Sequence, residues 1–272
     1  PHECSSAASD VYKRQVRLGL GSSELDVQGC ISEAVDRTVS HLDYQPIETG
    51  TYPVCFTPEA FLSLLGAFSS MFNARSVLDG VSLSQRDSIG STVAVPFFNL
   101  HDDGLHPGHI SAAAFDGEGT PTRRLSLIEG GTLRNFLHSE ATARAFGVQP
   151  TGHAGLGAKV SVGPDWFVVG SNPHVSSGNS LDHRTESGHF VLIDDLSALH
   201  AGVKATQGSF SLPFDGWLVN NGERVSVEAA TVAGDIRSVL NGIAHLEADS
   251  EVTHRGVCPH VWVDGLSITG EA

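Results

Sequence analysis

Apolar residues recur at helical spacing in two stretches near the start of the chain. Val27, Ile31, Val35 and Val39 lie one turn apart and predict a helix to about Leu42, with Ser23-Glu24-Leu25-Asp26 as a capping-box variant ahead of it. Phe61, Leu64, Leu65, Phe68 and Met71 fill one face of a second helix. Its start is written in Thr57-Pro58-Glu59: the Thr57 hydroxyl caps free N–H groups, and Pro58 sits where a missing N–H costs nothing. Between the two helices, Tyr52 to Phe56 reads as a short strand after Gly50.

From about Ser84 the period changes to short β-like runs separated by Gly, Pro, Asn and Asp. Thr92 to Phe98, Thr122 to Ile128, Thr132 to Leu137 and Phe190 to Ile193 are the expected strands. Glu129-Gly130-Gly131-Thr132 and Asn220-Asn221-Gly222-Glu223 are hairpin signals, because primed turns need residues that tolerate positive φ. Ser139 to Phe146, closed by Gly147, and Asp235 to Ile243 are the later helices, and Gly170 to Asp182 reads as a long mobile loop. The expected class is α+β: a mostly antiparallel β domain, a large curved sheet or barrel-like, preceded by two helices. The expected division is a non-native or truncation tail over 1–15, a helical junction with one short strand over 16–83, and the β domain over 84–272.

Composition narrows the function classes. With 272 residues and 40% hydrophobic content, the chain can bury a sizeable core. No run approaches the roughly 18 to 20 apolar residues of a bilayer crossing, so no membrane partner is expected. The formal net charge of −15 repels a phosphate backbone, so no nucleic-acid partner is expected either. Four cysteines without a CxxC pair fit a reducing, cytoplasmic compartment.

Fourteen histidines require metal binding to be weighed. His101, His106 and His109, with Asp102 and Asp103 among them, offer donors within nine residues, but Gly104, Pro107 and Gly108 make this a loop, and solvated loop histidines are the favoured reading. Cys258 and His260, with His254 nearby, could ligate zinc; a buried structural Cys258 at the entrance to a strand is favoured over that. Gly152, Gly155 and Gly157 lack the lysine of a phosphate loop and read as a turn. The acidic stretch Phe115 to Gly119 reads as a turn in which Asp116 accepts from local backbone. No GxSxG and no HExxH occurs.

Several blocks follow one another in an order found in a known family. Phe115 to Arg124, Leu127 to Leu133, Thr142-Ala143-Arg144, Pro150-Thr151-Gly152-His153-Ala154, Gly202 to Ser211, Gly216 to Glu223 and Gly265 to Gly270 resemble the TldD/PmbA family, on its PmbA (TldE) side. The likeness covers roughly Leu25 to the end. It implies a metallopeptidase system in which a TldD-like subunit carries zinc on an HExxxH helix completed by a distant Cys, and a PmbA-like subunit pairs with it as a heterodimer. The corresponding helix here begins at Thr57. Pro58 and Ser63 stand where the family's two metal-binding histidines would be, with Glu59 surviving between them, and the Gly-x-Cys-Gly-Lys run of the third ligand is absent. The resemblance therefore implies a non-catalytic subunit without zinc of its own, partnered with a TldD-like metallopeptidase that cleaves small or unfolded peptides. A stand-alone β-rich binding or assembly protein is the alternative, and an independent hydrolase using Cys258 and His260 ranks last.

Overall fold

A computed structural model describes residues 26–40, 44–172 and 188–270. Six helices occur among them: α1 (Val27–Ser40), α2 (Pro58–Ala67), α3 (Ala74–Leu78), α4 (Glu140–Phe146), α5 (Leu199–Gly202) and α6 (Ile236–Asn241). The strands are β1 (Tyr44–Gln45), β2 (Gly50–Phe56), β3 (Phe98–Asp103), β4 (Arg124–Glu129), β5 (Thr132–Leu133), β6 (Ala154–Leu156), β7 (Val160–Val162) and β8 (Phe167–Ser171). They continue with β9 (His189–Leu196), β10 (Val203–Lys204), β11 (Ser209–Asn220), β12 (Glu223–Val227), β13 (Ala230–Asp235), β14 (Ile243–Val252) and β15 (Gly256–Gly270).

The ladders close on themselves. β11 pairs with β9, β9 with β2, β2 with β15, β15 with β13, and β13 returns to β11, giving a closed barrel of five strands. All of these pairings are antiparallel except β2 with β9. Closure removes the barrel's own strand edges. The strands β8, β3, β4 and β5 extend the sheet outward from β15. The mostly antiparallel, barrel-like domain expected from the sequence is thus the observed one.

Local chemistry explains the wall. Along β11, Phe210, Leu212 and Phe214 are buried while Ser211 and Pro213 are exposed, the alternation of a strand with one face on a core. The ladder to β9 shifts register between Asp215 and Gly216. A Cβ on Gly216 would come within 2.1 Å of the Leu192 carbonyl oxygen, so only glycine permits this approach.

Helix α2 packs against β15 and β9, and seven of its ten residues are buried. Phe61 sits between Phe56 (6.0 Å) and Phe98 (6.3 Å), joining helix, barrel and outer sheet in one aromatic chain. Burying such a ring contributes about 1.5–3 kcal/mol.

Both glycine hairpins form as expected. Gly130 and Gly131 have φ of 55° and 72°, with Glu129 opposite Thr132; Asn221 and Gly222 have 51° and 86°, with Asn220 opposite Glu223. Helix α4 carries the Ser139 cap and ends on left-handed Gly147.

Two expected strands need correction. Thr92 to Phe98 is not a strand until Phe98: the N–H groups of Val93 and Ala94 donate to the Gly131 carbonyl and that of Val95 to the Leu240 carbonyl. Thr132 to Leu137 is a strand over its first two residues alone. The short helices α3 and α5 were not foreseen, being too brief to show a helical period. The stripe of α1 turns outward, with Val27, Ile31, Val35 and Val39 between 53% and 63% exposed. Its expected capping box, its end near Leu42, the tail 1–15 and residues 173–182 of the expected long loop lie outside the described residues.

Candidate functional site

The start of α2 is tied to β9. Thr57 donates its backbone N–H to the Ile193 carbonyl (3.0 Å) and its hydroxyl to the Asp194 carbonyl (3.0 Å), while its Oγ1 accepts from the Ala60 N–H (3.3 Å). This fixes Pro58 in the first turn and directs Glu59 toward the turn between β14 and β15. There Glu59 Oε1 lies 3.3 Å from His254 Nδ1. A carboxylate in the first turn of a helix is also favoured by the N-terminal dipole.

Glu59 and His254 stand at a cavity of about 600 Å³, which His260 also lines. Glu33, Asp36, Asp194 and Glu251 add carboxylates to its wall, against Arg224 as the one Lys or Arg in the lining among the described residues. His260 Nδ1 faces Glu247 Oε2 at 3.8 Å and Glu251 Oε1 at 3.9 Å. The arrangement suits a cationic or hydrogen-bond-donating guest in a field of negative charge.

The sequence candidates separate. Pro58, Glu59 and His260 come together at this cavity, whereas Ser63 is buried (4% exposed) and absent from the lining. Cys258 is wholly buried in the core, where burial pushes its thiol well above the ordinary value, so the reactive thiolate is disfavoured. His101 is on β3 rather than in a loop, and its imidazole is pushed below the ordinary value by burial and by Arg124. The rings of His106 and His109 instead stack on Trp166, with centroids 6.4 and 4.5 Å away.

A second constellation was missed by sequence reasoning. Asp102, at the core-facing position of β3 beside His101, lies with its Oδ1 3.0 Å from His153 Nε2, and both side chains are fully buried. Asp102 Oδ2 accepts the Asp165 backbone N–H (2.9 Å), and His153 Nδ1 meets Thr151 Oγ1 (2.9 Å). Asp165, exposed at its outer side, carries its carboxyl beside the pair, and partial desolvation there, then Asp102, pushes it above the usual carboxylate range. Nearby, Asp116 fills the turn role expected of it: Oδ1 accepts from Glu118 and Thr120 N–H groups, and Oδ2 from that of Ala154. Asp102 and His153 are 51 residues apart, so no local spacing could have joined them.

Residues 49–270 match the family model of the PmbA/TldA metallopeptidase C-terminal domain. The chain belongs to this family. A PmbA/TldD relative, "Metalloprotease PmbA" of Escherichia coli O157:H7, is 27% identical over 260 residues, covering 93% of this chain and 54% of that protein. The chain thus spans about half the length of that curated relative. A solved structure from Thermotoga maritima MSB8 superposes with a TM-score of 0.81 at 29% identity, covering 91% of this chain and 56% of that one. TldE from Thermococcus kodakarensis shares the fold, with a TM-score of 0.76 at 23% identity over 90% of this chain and 56% of that one.

The resemblance leads one to expect the family's metal ligands at Pro58, Glu59 and Ser63. Pro58 offers no side-chain ligand, Ser63 is buried, and Glu59 has turned to His254. Among the described residues, the one set of three or more His, Cys, Asp or Glu donor atoms lying within 4.8 Å of one another is Asp102, His153 and Asp165, not a set around Glu59.

Proposed function

We propose that this chain is a PmbA/TldE-like subunit of a TldD/TldE-type metalloprotease, a partner that lines the peptide chamber and leaves the metal chemistry to a TldD-like subunit in the cytoplasm. The observation that carries this reading is the start of α2: a proline and a buried serine stand where metal-binding histidines are expected, and the surviving Glu59 is engaged by His254 in the cavity lining. Zinc in the partner would polarise the scissile carbonyl and acidify a bound water. Glu59 has no such water to deprotonate, and its task becomes electrostatic. Together with Asp194 and Glu251 it gives the wall a negative field, which holds peptide N–H groups and basic side chains and disfavours acidic ones.

The test is co-expression with a TldD-like chain. A stable heterodimer that cleaves unfolded peptides, loses activity with a zinc chelator and is inactive as either separated subunit is the expected result. Cleavage by this chain alone would overturn the non-catalytic assignment. Failure to form any complex with TldD-like chains, with peptide binding retained, would favour a stand-alone binding or assembly protein.

A further inference from the structure

We propose that Asp102, His153 and Asp165 form a site for a divalent transition cation of the Mn2+ or Zn2+ class, separate from the cavity at Glu59. The three side chains come from β3, from the segment ahead of β6 and from the residues ahead of β8, and each offers one donor atom within 4.8 Å of the other two. The scaffold beneath them is rigid. β3 and β8 pair through Asp102 opposite Phe167, and the Asp103 N–H donates to the Trp166 carbonyl (2.9 Å), so Asp102 and Asp165 are held in register by the sheet.

Several features of the group fit a ligand set. Asp102 Oδ1 and His153 Nε2 are 3.0 Å apart, the spacing of adjacent positions in an octahedral shell with bonds of roughly 2.1 Å. Two carboxylates and one imidazole suit borderline divalent ions rather than soft ones. The Asp165 and Asp102 carboxyls lie within 4.8 Å of each other, a like-charge approach that a cation would relieve. Space for that carboxyl depends on Gly104: a Cβ there would come within 2.7 Å of Asp165 Oδ2. His153 and Asp165 line a cavity of about 260 Å³ together with His109, which leaves room for water or a small ligand to complete the shell.

His153 has the outer partner that a ligating imidazole needs. Its Nδ1 meets Thr151 Oγ1 at 2.9 Å, and the same hydroxyl lies 3.2 Å from the His138 carbonyl. In the tautomer with the proton on Nε2, Nε2–H donates to Asp102 and Thr151 donates to Nδ1. With an ion, Thr151 gives its proton to the His138 carbonyl instead, Nδ1–H donates to Thr151 Oγ1, and the Nε2 lone pair is free for the metal. This exchange would supply the Nε2 lone pair that metal ligation requires.

The experiment uses the full chain, stripped with chelator and titrated with Mn2+ and with Zn2+, read by equilibrium dialysis with elemental analysis and by NMR of the histidine ring nitrogens. One equivalent of either metal is expected, with the His153 Nε2 resonance broadened by Mn2+ or shifted by Zn2+. Asp165→Asn and His153→Gln each weaken binding by at least about ten-fold, whereas Glu59→Gln and His254→Gln do not. Asp165 lies at the solvent-exposed rim, so Asp165→Asn keeps the test decisive if His153→Gln fails to fold. Absence of binding up to about 1 mM metal, or binding equally tight in Asp165→Asn, overturns the proposal.

Discussion

Two acid–histidine pairs of nearly the same chemistry occupy opposite environments in this molecule. Glu59 and His254 meet at 3.3 Å with 42% and 29% of their side chains exposed, in the lining of the 600 Å³ cavity. Asp102 and His153 meet at 3.0 Å with none of either side chain exposed. Water screens the first pair and can replace either partner, so that pair is free to serve a guest. The second pair has no alternative solvent, and each group depends on the other and on the backbone and hydroxyl groups around them. Distance alone would rank the pairs as near equals. Burial separates them.

The sharpest way to break this contrast is truncation. Asp102→Ala in the metal-free protein should lower stability by about 3–5 kcal/mol, because it strands His153 and the Asp165 N–H in the interior; the urea midpoint measures it. A loss close to that of a surface variant would mean that the buried pair is not a structural unit.

A third histidine sharpens the comparison by showing burial without a carboxylate. His138 is 5% exposed, and burial pushes its imidazole down from 6.5 to about 4. Because the folded-state value is depressed for a base, the unfolded chain binds a proton first as pH falls. Stability is therefore fully present above about 6.5 and falls as pH drops toward about 4. His138→Gln should flatten that part of the pH profile in chemical denaturation, and an unchanged slope would refute the assignment.

The smallest effect belongs to the exposed pair. Glu59→Gln should change stability by less than about 1 kcal/mol, and high salt should erase the difference. A thermal melt at low and high ionic strength checks both statements.

Legibility in the sequence followed the range of the interaction. Thr57-Pro58-Glu59 announced its helix because capping is settled within four residues, and Gly130-Gly131 announced its hairpin because the backbone there needs positive φ. Thr92 to Phe98 looked like a strand because its residues suit one. Its N–H groups, however, reach the carbonyls of Gly131 and Leu240, partners that no local pattern names. The α1 stripe predicted a helix correctly but carried no word of which surface would cover it. Barrel closure and the Asp102–His153 pair rest on contacts between distant segments, and they became visible only in three dimensions.

The strand β15 has a consequence for how the molecule is made. It pairs with β2, β8, β13 and β14, so the last segment of the described chain joins four others. During synthesis β2 leaves the ribosome long before β15 emerges, and its edge toward β15 must wait open. Such late, long-range pairing is slow and exposes the nascent chain to mispairing. Removing the fifteen residues of this strand would leave the barrel not frayed but unbuilt, because β2 and β13 would each lose the neighbour that closes the ring.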